Sequence, residues 1–113
     1  MTILLAIIAI ESGGDNLAHG RHGEVGALQV RACVVRDVNR HHGTHYTLGD
    51  MTNRAMASEV FNRYLDTYAT EKRLGRPVTD ADRARIWHRG PRGYLTDRSN
   101  YAARVTALET KPQ

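Results

Sequence analysis

The chain has 113 residues, 41% hydrophobic and 25% charged, with sixteen Lys+Arg against twelve Asp+Glu for a net charge of +4. That length suits one domain with one modest core, and the composition is that of a globular chain, not a fibrous or disordered one. A single cysteine, Cys33, excludes an intramolecular disulfide framework, and in its apolar stretch it is expected to pack as a small hydrophobe.

From the start, the uncharged run Ile3-Leu4-Leu5-Ala6-Ile7-Ile8-Ala9-Ile10 is too short to span a bilayer, which takes roughly 20 residues. No Lys or Arg precedes it and Glu11 follows at once, so it reads as the first helix of the fold and not as a signal segment. A helix over residues 3 to 12, apolar nearly all round, is expected at the centre of the core. Residues 13 to 25 contain Gly13, Gly14, Gly20 and Gly23 and read as a loop. Gly26 to Val30 reads as a tight turn into a helix near residues 31 to 40, where Val34, Val35 and Val38 mark one face and Gly43 ends it.

The next segment, 41 to 50, reads as loop. Asp50 or Thr52 is expected to cap a helix over 52 to 73, in which Met56, Val60, Phe61, Tyr64, Leu65 and Tyr68 recur at helical spacing, with Gly75 and Pro77 as its stop. Thr79 with Asp82 resembles a capping box ahead of a helix through Ala81, Ala84 and Trp87. Gly90-Pro91-Arg92-Gly93 breaks that helix, and a last one over 97 to 109 shows Tyr101, Val105 and Leu108 on one face. No period-two alternation is present, so any sheet is small. The expectation is one mainly α domain over residues 1–113 with a buried N-terminal helix.

The chemistry gathers at Glu11. A carboxyl at the end of an uncharged run is partly desolvated, which raises its pKa and lets it hold a proton near neutral pH, as a general acid requires. Ser12 places a hydroxyl beside it, and Gly13-Gly14 lets the chain turn sharply out of the helix. The plain alternative is a surface helix that ends in Glu-Ser-Gly-Gly. His19, His22, His41, His42 and His45 are a possible metal-ligand set, but no HExxH pattern or cysteine pair accompanies them. No metal and no cofactor is expected. The basic balance suits an anionic cell wall or nucleic acid, or simply solubility; without zinc-finger spacing or an aromatic RNA-binding motif, nucleic-acid binding would rest on charge alone.

Three segments together carry a resemblance. Glu11-Ser12-Gly13-Gly14, then Gly26-Ala27-Leu28-Gln29-Val30, resemble the Glu-Ser and Gly-Leu-Met-Gln signatures of the soluble lytic transglycosylase and goose-type lysozyme families. Ala84-Arg85-Ile86-Trp87-His88-Arg89-Gly90-Pro91 is similar to the family's Ala-x-x-Tyr-Asn-Ala-Gly-Pro. The three occur in the family's order and span most of the chain. The resemblance implies a minimal lysozyme-like fold that cleaves the β-1,4 bond between N-acetylmuramic acid and N-acetylglucosamine in peptidoglycan, with Glu11 as the acid. Peptidoglycan glycan strands are the implied partner, with no nucleic acid, no membrane and a monomeric protein expected. The compartment stays open, and a chain without a signal would reach the wall by another route, such as holin-assisted release of a phage endolysin.

The resemblance also assigns binding residues. Gln29 matches a glutamine that lines the sugar cleft, or else bonds its own turn. Trp87 stands at the family tyrosine, to stack on a sugar or to anchor the core. His88 stands at the asparagine, and Tyr101-Ala102-Ala103-Arg104-Val105 is similar to the late Tyr-x-x-x-Val. Hydrolytic members place a second acid, usually aspartate, near the loop or the turn. Here Gly20-Arg21 and Arg31 stand near those places, and Glu24 is the candidate second catalytic acid beside Asp15. That departure tilts the expectation towards a lytic transglycosylase over a lysozyme-type hydrolase. The alternatives are a catalytically inactive glycan-binding module and, from charge alone, a small basic helical DNA-binding protein.

Overall fold

The computed structural model describes residues 1–111. They form α1 (Ile3–Ser12), α2 (Ala32–His42), α3 (Arg54–Tyr68), α4 (Glu71–Leu74), α5 (Asp80–Arg89), α6 (Gly93–Thr96) and α7 (Tyr101–Thr110), with a 3-10 turn at Gly49–Thr52. The only β pairing among the described residues is two isolated bridges, His19 with Val25 and Val25 with Val30. The fold is mainly α. No described helix is long and apolar enough to cross a membrane.

The chain divides into two compact units, Met1–Ile10 with Leu65–Gln113, and Glu11–Tyr64. In the first, α1 keeps its expected bounds but not its expected burial. Ala6, Ile7 and Ile8 are buried, whereas Leu5 is 45% exposed and Ala9 is also open. An all-apolar sequence does not say which face will be covered, and a chain this size has too few elements to enclose a helix on every side. α6 and α7 both pack on α5, and Gly93 brings α6 so close that an added Cβ would fall on the Arg85 carbonyl oxygen.

The Thr79–Asp82 capping box is present at the start of α5. Asp82 is 1% exposed. It accepts from Arg76 Nη1 and Nη2 at 2.6 and 2.8 Å, and from the Thr79 amide and hydroxyl, each at 2.9 Å. The Arg76 fork foremost, against the opposing effect of burial and helped by Thr79, holds its carboxyl far below the usual range. At the far end, α7 begins only at Tyr101, because Asp97 accepts from the Ser99 amide at 3.0 Å and makes a turn where helix was expected.

In the second unit, Val34, Val35 and Val38 form the buried face of α2, and Gly43 closes it at φ 65° with its amide on Asn39 O. His41 and His42 belong to that helix, not to the loop. Cys33 is exposed, contrary to expectation: it lies just ahead of the valine stripe, and the helical rotation turns it outward. Asn53, and not Asp50 or Thr52, caps α3 by accepting from the Met56 amide at 3.0 Å. Asp50 is instead engaged with Thr47 in two mutual hydrogen bonds. The long helix expected over 52 to 73 breaks after Tyr68. Thr70 accepts from the Arg73 amide at 3.2 Å and so starts α4, which Gly75 ends at φ 75°.

Candidate active site

Glu11 occupies the last turn of α1 and is partly exposed. The helix stops because Gly13 and Gly14 take φ 64° and 93°, a left-handed region that costs glycine little. The Ser12 hydroxyl accepts from the Gly14 amide at 3.1 Å and donates to the Ala27 carbonyl at 2.8 Å. One side chain thus closes the helix and ties its end to the Gly26–Val30 turn. Arg54 fixes the outgoing chain, with Nη2 on Gly14 O at 2.6 Å and Nε on Asn16 Oδ1 at 2.8 Å.

The turn itself is closed by reciprocal backbone bonds between Val25 and Val30, at 3.0 and 2.9 Å. Gly26 has φ 88°, and a Cβ there would overlap the Met51 carbonyl oxygen, so only glycine fits. Gln29 is the one non-glycine residue at positive φ among those described, at 50°. Its amide nitrogen donates to Ala18 O at 3.2 Å and Gly26 O at 2.9 Å, which is the turn-bonding role. Its Oε1 and the Glu24 carboxylate both crowd Gly20, where an added Cβ would meet them at 2.6 and 2.7 Å.

Glu24 accepts from the His22 amide at 2.7 Å. Its own backbone amide most of all, with that of His22 and the His22 and Arg31 charges, outweighs burial and lowers its pKa. It is a carboxylate folded back on its own loop, suited to the ionised state that a base or nucleophile needs, but with an oxygen already engaged.

The other three residues lie in the first unit. Trp87 is 3% exposed, a core anchor. His88 keeps a 26% exposed ring whose Nδ1 lies 2.8 Å from Oδ2 of Asp97, a side chain only 1% exposed. Tyr101 stacks on that ring, centroids 4.1 Å apart and planes 6° off parallel. Burial alone would raise the Asp97 pKa; the His88 ring, the Ser99 hydroxyl and the Ser99 amide bring it down to about 2. Glu11, Ser12, Glu24 and Gln29 therefore share one unit, and Trp87, His88 and Tyr101 the other.

Sequence reading missed Asp97 and the carboxyl pair Asp80–Glu109. Asp97 left only a weak sign, an Asp-Arg-Ser-Asn string ahead of a helix. Nothing local joins Asp80 to Glu109, which hydrogen-bond across α5 and α7. Burial first and the Asp80 carboxyl next push Glu109 up to about 7. No three His, Cys, Asp or Glu side chains gather as a metal set among the described residues: His41 bonds to Asp37, His42 to Arg63 O, and His19 to Leu17 O. No protein-family model, curated protein or solved structure matches the chain.

Proposed function

We propose that the protein cleaves peptidoglycan glycan strands at the β-1,4 bond between N-acetylmuramic acid and N-acetylglucosamine, with Glu11 as the general acid. The observation that supports this reading is the Ser12 bond to Ala27. It fastens the Glu-Ser helix end to the Gly-Ala-Leu-Gln-Val turn, two of the three segments that resemble the transglycosylase and goose-type lysozyme families. Glu11 then stands on a rigid helix end whose onward chain is held by Ser12, Gly14 and Arg54, and a proton donor needs such fixed placement. Gln29 contributes by locking the turn.

On this reading the lytic reaction is favoured over hydrolysis. A hydrolase holds a water that a second carboxylate activates, and Glu24, the candidate for that work, is bonded to its own loop. In the lytic route Glu11 acts as acid and then as base, and the muramyl 6-hydroxyl closes a 1,6-anhydro ring. A glycan-binding module that does not cut is the second reading, favoured by the commitment of Gln29 and Glu24 to backbone groups.

Glu11→Gln keeps the shape and removes the titrating proton. Clearing of a bacterial wall suspension should fall by about 100-fold or more with the circular dichroism unchanged. Near-native lysis by that variant would sink the assignment, and no lysis by the native chain would leave the binding module. Mass spectrometry of the digest separates the two chemistries: anhydro-muramyl ends mark the lytic route, and reducing ends heavier by one water mark hydrolysis and bring Glu24 forward.

A further inference from the structure

His88 stands where the resembling families carry asparagine, and the two side chains do different work. An asparagine amide both donates and accepts, whereas a neutral imidazole has one donor and one acceptor nitrogen, and its neighbour decides which is which. Here the neighbour is Asp97. Its carboxylate receives the Ser99 amide on Oδ1 at 3.0 Å, Arg89 Nε at 3.9 Å from the same oxygen, His88 Nδ1 at 2.8 Å on Oδ2, and the Ser99 hydroxyl. An ionised carboxylate only accepts, so Nδ1 must carry the hydrogen. Tyr101, stacked at 4.1 Å, fixes the plane of the ring. The ring is 26% exposed while Asp97 is 1% exposed, so the dyad has a buried anionic end and an accessible imidazole end.

We propose that Asp97 is a positioning residue that fixes His88 in the Nδ1–H form and presents Nε2 as the acceptor of a hydrogen bond from a glycan hydroxyl. The inference rests on the glycan reading above and deepens it. It makes recognition at this position acceptor-only while the ring is neutral. Arg89 of α5 also reaches the Asp97 carboxylate, and Tyr101 of α7 lies against the ring face.

The test is nitrogen-15 NMR of the His88 ring in the full chain, with and without the trimer of N-acetylglucosamine, beside the wall-clearing assay. In the native protein at a pH where the ring is neutral, Nδ1 should be protonated and Nε2 bare, and the trimer should move the Nε2 signal. Asp97→Leu, of similar volume, removes the acceptor. Nε2–H should then dominate, the trimer-induced shift should vanish, and the half-saturating wall concentration should rise about tenfold, the worth of one hydrogen bond, with the maximal rate little changed. Asp97→Asn leaves one acceptor oxygen for the Ser99 amide and turns its NH2 towards Nδ1, so it should give the same Nε2–H form and the same losses, which guards against a Leu variant that fails to fold. A native ring with Nε2 protonated overturns the inference. So does an unmoved His88 in a protein that clears walls. A trimer-induced shift without wall clearing supports the inference and sinks the cleavage reading; neither shift nor clearing sinks both.

Discussion

The two units hold their polar groups in opposite ways. In Glu11–Tyr64 the Glu-Ser end is tied to its turn by neutral bonds, Ser12 to Ala27, Gln29 to Ala18 and Gly26, and paired backbone bonds between Val25 and Val30, while Arg54 and Glu24 are the charged members of the loop. In Met1–Ile10 with Leu65–Gln113 the order comes from carboxylates: Asp82 under Arg76, Asp97 under His88, and Asp80 against Glu109. Neutral bonds do not titrate, so the ties of Ser12 and Gln29 hold their geometry as pH changes. Charged pairs are stronger one by one but are lost or gained as protons move.

The comparison breaks first at Gly26. A Gly26→Ala change combines a positive φ with an overlap on the Met51 carbonyl, and should cost about 4 kcal/mol. Urea unfolding at neutral pH measures it; a loss under about 1 kcal/mol would mean that the turn can relax and is not the rigid frame described. Next is Asp82→Ala, which removes the Arg76 fork and the α5 cap together, for about 3 kcal/mol. The sign with pH follows from the lowered carboxyl. The stability Asp82 contributes is complete above the unfolded value of about 4 and is lost as pH falls towards the folded one. The variant should therefore approach the native protein at low pH, and a constant gap from pH 7 to 3 would contradict it.

A smaller effect separates the two kinds of bonding directly. Ser12→Ala should cost about 1 kcal/mol, independent of pH, because its bonds to Ala27 and Gly14 are neutral. It should also reduce wall clearing more than stability alone explains, since it frees the helix end that bears Glu11. The smallest change is expected for Glu109→Gln, read as the shape of a pH profile. Glu109 is raised to about 7 in the folded protein, so its contribution is complete below the unfolded carboxyl value of about 4 and is lost as pH rises through 7. Native stability should thus decline across that window, and the variant should not. A native urea midpoint that stays flat between pH 5 and 8 would count against the shared proton.

The sequence by itself determined what depends on neighbours along the chain. Helical spacing of the valines gave α2, the Thr79–Asp82 box gave the start of α5, and the glycines at 13, 14 and 43 gave ends that need left-handed backbone. Local rules failed where two local choices competed. Thr70 took the backbone from α3 and Asn53 displaced Asp50 and Thr52, because caps differ by less energy than sequence spacing resolves. Only tertiary structure decided which face of α1 is covered, that Trp87 is interior, and that Gln29 spends its amide on Ala18 and Gly26. It alone joined His88 to Asp97 and Asp80 to Glu109. Burial and the proton affinity of a carboxyl depend on what lies within a few ångströms in space, and Asp80 and Glu109 are remote in sequence yet adjacent in the fold.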